Sequence, residues 1–196
     1  MSAPSLTPGF ASPVRDAQAA FRALLEASAQ PGSVVDLRVP DAPPAGLPPA
    51  MAAIALTLVD ADTPLWLDDA ARDATPWLRF HCGCRIVTTP EHAAFLFAAE
   101  AAALPAMDRL DAGTDEYPDR GATVVISVTG FRRGKALRLT GPGIDGTRIV
   151  KVDGLPQGFV AARAANHRLF PRGVDAILVS GNDAIALPRS TAIEET

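Results

Sequence analysis

The sequence predicts an α/β domain in which a mixed sheet is covered by helices. Helical and extended periodicities alternate along the chain, and the C-terminal half carries hairpin patterns in place of strand–helix–strand repeats. The 196 residues are 48% hydrophobic, enough for one domain with a substantial core.

The first element is a helix from Ser12 to Ala29, with Ser12 as its cap and Pro13 in the first helical position. Val14, Ala17, Phe21, Leu24, Leu25 and Ser28 recur at helical spacing and form the expected buried stripe, leaving Arg15, Arg22 and Glu26 on the other side. Gln30 to Gly32 stops this helix, and SVVDLRV (33–39) reads as a strand. A proline-rich connection (40–50) leads to an apolar helix at 51–60, a turn at DADTP and a short strand LWLD. TPWLRFH gives one or two helical turns that Gly83 ends. CRIVTT reads as a strand, AAFLFAA as a strand or a helix, and LPAMDRLDAG as a short helix with a glycine stop. ATVVISVTGF is the strongest strand pattern, and KALRLTG is expected to pair with it across an RRGK hairpin tip. The helix PQGFVAARAANHRLF follows, and GVDAILVS and DAIALPR close the chain as a hairpin around Gly181 and Asn182.

A net charge of −4 and a pI near 5.3 supply no basic field for nucleic acid. No apolar run approaches the roughly 20 residues of a membrane span. The stretch from Met1 to Gln18 lacks the basic and apolar segments of a secretory signal. With two cysteines and no such signal, the expected compartment is the cytoplasm.

Gly141, Gly143 and Gly146 match the G-x-G-x-x-G spacing of dinucleotide sites. That site requires a following helix and an acidic residue about 20 positions on. Here the glycines lead into TRIVKVDG, which reads extended, and no acidic residue lies between Asp153 and Asp175. A glycine-rich turn with an anion-binding backbone is the better reading, with Arg138 just before it as a phosphate contact. HCGC (81–84) lacks the second ligand pair that zinc needs, so no metal is expected. Cys82 near a helix C-terminus is badly placed for a thiolate, and both cysteines read as structural. Asp60, Asp62, Asp68 and Asp69 read as a turn in preference to a magnesium site.

Six runs carry a family pattern: PVRDAQAAFRALLEASAQPG (13–32), LTLVDADTPLWL (56–67), LRFHCGC (78–84), GATVVISV (121–128), LRLTGPGI (137–144) and FPRGVDAILVSGNDAIALPRST (170–191). In their order and spacing they resemble the PhnH family, the H subunits of the bacterial carbon–phosphorus lyase system for phosphonate breakdown. The resemblance spans 13–191 as a single domain, leaving 1–12 and 192–196 as tails. It implies an α/β/α sandwich similar to the large domain of pyridoxal-phosphate (PLP)-dependent transferases, but without PLP. Lys135 and Lys151, the only lysines, have no recognisable Schiff-base setting.

The resemblance further implies a core assembly with the G, I and J subunits, and a homodimer when the chain is isolated. With L, the G, H and I subunits replace the adenine of ATP by a phosphonate such as methylphosphonate. The products are alpha-D-ribose 1-phosphonate 5-triphosphate and adenine. ATP and phosphonate are then substrates of the complex, and this chain binds no cofactor of its own. Later steps remove pyrophosphate, and J cleaves the carbon–phosphorus bond by iron–sulfur radical chemistry. The H subunit is expected to bind or scaffold while I carries most of the chemistry. The candidate substrate site combines Arg79 and His81 of LRFH with Arg138, Thr140, Gly141 and Gly143 of LRLTGPG. Asp175 and Arg189 are also matched family positions, with a structural role as the alternative.

Overall fold

The runs FLFA and TVVIS are apolar on both of their faces, so a sheet built from them must be covered twice. The computed structural model, which describes residues 6–196, shows how this is done. Its helices are α1 (Pro13–Ala29), α2 (Pro49–Leu58), α3 (Thr75–Cys82) and α4 (Phe159–His167). Its strands are β1 (Val35–Asp36), β2 (Pro64–Leu67), β3 (Arg85–Val87), β4 (Phe95–Ala98), β5 (Thr123–Ser127), β6 (Gly130–Thr140), β7 (Arg148–Asp153), β8 (Asp175–Ser180), β9 (Asp183–Leu187) and β10 (Ala192–Glu195).

Seven strands form one mixed sheet in the order β1-β9-β8-β5-β4-β2-β3. The five from β8 to β3 run parallel, whereas β9 and β1 are antiparallel to their neighbours. On one face Leu65, Phe97, Val125 and Val179 pack under α1, α2 and α3. On the other face Val124, Ile126, Leu178 and Leu187 meet Phe159 of α4 and a second sheet, ordered β10-β6-β7 and antiparallel throughout. The expected α/β/α sandwich is therefore corrected on one side. Its second outer layer is a three-stranded sheet joined by α4, because alternation in β6 and β7 turns Leu137, Leu139, Val150 and Val152 inward.

The RRGK hairpin is not formed. β5 and β6 lie in different sheets, and β6 runs through RRGK to pair with β7 and β10. The final hairpin is present as β8 and β9, and the turn at Gly83 caps α3 in the left-handed region with φ 67°. The expected strand at 33–39 is reduced to Val35–Asp36, and the expected helix at 104–113 to the single turn Met107–Arg109. Neither end is a loose tail where described. β10 pairs with β6, and Phe10 is buried beside Ala20 and Ala53.

The α1 stripe is also displaced. Ala20, Leu24 and Ala27 are buried, whereas Val14 (84% exposed), Phe21 (49%) and Leu25 (58%) face outward. Both stripes satisfy helical spacing, but small residues let α1 close on α2, whose own Ala50, Ala52, Ala53 and Ala55 are buried. Ser12 does not cap through its hydroxyl. Its backbone N–H donates instead to Asp16 Oδ2 at 2.8 Å.

Gly143 has φ +80°, and a Cβ there would stand 2.0 Å from the Ala29 carbonyl oxygen. Gly146 has φ +65° with nothing within 4 Å of such a Cβ. Gly143→Ala should therefore cost about 2 kcal/mol or more, and Gly146→Ala about 1 kcal/mol. Urea midpoints at unchanged m measure the difference.

Candidate functional site

The residues expected to form one site stand on opposite sides of the seven-stranded sheet. Trp77 and Leu78 anchor α3 in the helix-side core, so Arg79 is exposed on that flank. His81 is half-buried, with Nε2 3.1 Å from the Thr7 carbonyl oxygen, to which Trp77 Nε1 also donates at 2.9 Å. The two rings pack at a centroid distance of 4.6 Å and hold the N-terminal segment against α3. Arg138 is on the outer face of β6, opposite Glu194 and Ile149, because its neighbours Leu137 and Leu139 point into the other core. The structure thus does not bring Arg79 and His81 together with Arg138, Thr140, Gly141 and Gly143.

The glycine turn joins the antiparallel strands β6 and β7, with Leu139 opposite Arg148. No helix follows it, which removes the dinucleotide reading. Its glycines serve close approach. Gly143 presses on the Ala29 carbonyl, and a Cβ at Gly141 would meet the Ser190 carbonyl oxygen at 2.8 Å. Arg148 Nη1 donates to the Gln30 and Pro31 carbonyls and to Ser33 Oγ at 2.9, 2.8 and 2.7 Å. A helix C-terminus, partially negative, with a guanidinium spent on its carbonyls, disfavours an anion in this turn. The turn is a joint between the small sheet and α1.

Asp175 and Arg189 do meet. Arg189 Nη2 donates to Asp175 Oδ2 at 2.6 Å, Nε reaches both carboxylate oxygens, and the Arg189 backbone N–H donates to Oδ1 at 2.6 Å. Arg189 Nη1 also donates to the Pro118 carbonyl. Beside this pair lies a residue that sequence reasoning passed over. Arg163 of α4 is buried and donates to the carbonyls of Val174 (2.6 Å), Leu187 (2.9 Å) and Pro188 (2.7 Å). Burial lowers its pKa to about 10, with Asp175 opposing that shift, so the group remains charged at neutral pH. Asn166 exchanges hydrogen bonds with both backbone groups of Val174. The signal was present in FVAARAANH, where Phe159, Arg163 and Asn166 share the buried stripe. Together these residues tie α4 to the start of β8 and the end of β9.

Strand order reverses at β2, since the chain passes outward to β3 and then back to β4. The carboxyl ends of β2 and β4, the usual ligand crevice of such sheets, are bound together by buried Asp68. Its carboxylate accepts the N–H groups of Ala71 (2.9 Å) and Glu100 (2.8 Å). Asp69 and Glu100 line the same hollow, so it repels a phosphonate. Asp60 instead closes the turn before β2 through Thr63 Oγ1 (2.7 Å) and the Asp62 N–H (3.1 Å). The Thr63 hydroxyl holds its carboxyl below the usual range.

Cys82 and Cys84 are unpaired. Burial, reinforced by Cys84, pushes the Cys82 thiol up to about 12, and burial also raises Cys84. Neither is a thiolate nucleophile near neutral pH.

An α/β protein with a doubly covered mixed sheet, whose buried polar groups mainly brace the fold, is the class these observations define. The chain belongs to the family of bacterial phosphonate metabolism protein (PhnH), whose model matches residues 8–194. It is 41% identical to the alpha-D-ribose 1-methylphosphonate 5-triphosphate synthase subunit PhnH of Rhizobium meliloti (strain 1021) over 187 residues, 94% of each chain. It is also 39% identical to the putative C-P lyase subunit protein HtxG of Stutzerimonas stutzeri over 176 residues, 90% of this chain and 85% of that protein.

If the buried arginine and the Asp175–Arg189 pair brace the fold, Arg163→Met and Asp175→Ala should each cost about 3 kcal/mol in urea unfolding. Arg138→Ala should stay within about 0.5 kcal/mol. At pH 8 a disulfide reagent should leave both thiols untouched on the timescale that consumes a free cysteine, and react with both after unfolding. With its folded pKa raised, Cys82 keeps its proton longer when folded than when unfolded. Stability should therefore fall as pH rises from 9 toward 12, more shallowly in Cys82→Ala.

Proposed function

We propose that this chain is a binding and assembly subunit of an enzyme that replaces the adenine of ATP by a phosphonate such as methylphosphonate, giving alpha-D-ribose 1-phosphonate 5-triphosphate. The observation that carries this reading is the 41% identity, across 94% of both chains, to a protein named as a subunit of such a synthase. Displacement at the anomeric carbon needs a held nucleophile and an activated leaving base around an oxocarbenium-like centre. Arg163, Asn166 and Asp68, three of the buried polar residues, bond to backbone partners, which suits a supporting role better than an acid–base one. In this reading the G, I and J subunits are partners, L joins the transfer step, and I carries most of the chemistry in a cytoplasmic complex.

The mixed seven-stranded sheet supports kinship with the large domain of PLP-dependent transferases. The lysines do not fit a Schiff base. Lys135 is held in an exposed ion pair with Glu195 at 2.6 Å, and Lys151 is exposed. A purely structural subunit is the second reading. Val14, Phe21 and Leu25 on α1 favour it, since they offer an apolar stripe to a second copy or to a partner subunit.

The test is adenine release from ATP and methylphosphonate by the G, I and L subunits, with and without this chain. Release only in its presence is the expected result. An equal rate without it would leave the assembly role alone.

A further inference from the structure

β6 does not track β7 evenly. Gly130 pairs with Asp153 and Lys135 with Val152, so a single step on β7 spans five on β6. The surplus residues Phe131, Arg132, Arg133 and Gly134 form an outward excursion. Gly134 makes the return, with φ +91° and its would-be Cβ 2.3 Å from the Val152 carbonyl oxygen. Neighbours on a regular strand point to opposite faces, but here Arg132 and Arg133 both line one cleft. Phe131, Asp153, Ser180 and Asp183 line it with them, and its volume is about 630 Å³.

The cleft sits at the carboxyl ends of β5 and β8, where Ser180 Oγ donates to the Thr129 carbonyl at 3.0 Å and ties the two strand exits together. Open α/β sheets take their ligands outside these ends. Both guanidinium groups are exposed, and neither belongs to an ion pair among the described residues, although two carboxylates share their wall. A simple anion would meet those carboxylates as repulsion. A nucleotide uses all three chemistries: phosphates take the paired arginines, ribose hydroxyls donate to a carboxylate, and the base lies against an aromatic ring.

We propose that the cleft formed by the Phe131–Gly134 excursion binds a nucleoside triphosphate. The assignment rests on the synthase reading only in taking ATP as the nucleotide. Titration calorimetry of the full-length chain with ATP at low salt should give saturable binding. Joint replacement Arg132→Gln and Arg133→Gln should weaken it at least tenfold, and Phe131→Ala severalfold. The urea midpoint of the double arginine variant should match the parent, since both side chains are exposed, whereas Phe131→Ala should lower it because the ring also packs on the second core, so its binding is read well below its own midpoint. Absence of ATP binding by the parent chain, or equal binding by the double variant, would overturn the site. Tripolyphosphate binding as tight as ATP, unaffected by Phe131→Ala, would overturn its nucleotide character. The adenine-release experiment is independent: a chain required for release but unable to bind ATP would sink the cleft and keep the subunit role.

Discussion

Everything in this molecule follows from strands that are apolar on both faces. β4, β5, β8 and β9 present almost uninterrupted buried residues, so the central sheet can exist only between two covering layers. The layers are chemically unlike. Three helices, two of them rich in alanine, close one side, while the inward-facing leucines and valines of β6 and β7 close the other. The second layer is reached by a chain that leaves β5, builds a separate sheet, and returns through α4 to β8 beside the strand it left. The last strand, β10, then locks that sheet along the other edge of β6.

Such a route leaves strand ends and carbonyls to be satisfied away from water, and polar side chains do this at three joints. Arg163 collects carbonyls where α4 meets β8 and β9, Arg148 collects them at the end of α1, and Asp68 collects N–H groups between β2 and β4. A guanidinium suits the first two because its planar fork serves several acceptors at once. Burial lowers the pKa of Arg163 without bringing it near neutrality, so the group stays charged at neutral pH. Several residues that look functional by type also make bracing contacts, including the family-matched Asp175 and Arg189.

The crevice at the reversal of strand order is acidic and tied by Asp68, and the glycine turn is pressed onto a helix C-terminus. Two features of the remaining surface are the cationic excursion of β6 and the outward apolar residues of α1. The first suits a small anionic ligand and the second suits a protein. A subunit that works inside a larger enzyme needs both kinds of surface.

Local pattern was enough for most elements. The closing hairpin, the Gly83 stop, the strands at β2 to β5 and the extended run after the glycines were legible because turn residues and periodicity act within a few residues. Family membership was legible too, from motif order. Pairing was not. RRGK reads as a hairpin tip whenever the flanking strands are assumed to be partners, and only the second sheet shows that they are not. The α1 stripe was ambiguous for a similar reason, since two faces satisfy the same period and the choice depends on the alanines of α2. Arg79 and Arg138 looked like one site because sequence carries no record of which side of a sheet each segment lies on. The sequence by itself determined most of the elements and the need for a doubly covered sheet, through local sterics and hydrophobic content. The tertiary structure alone decided strand partners, helix faces and site membership, because these depend on contacts between segments far apart in the chain.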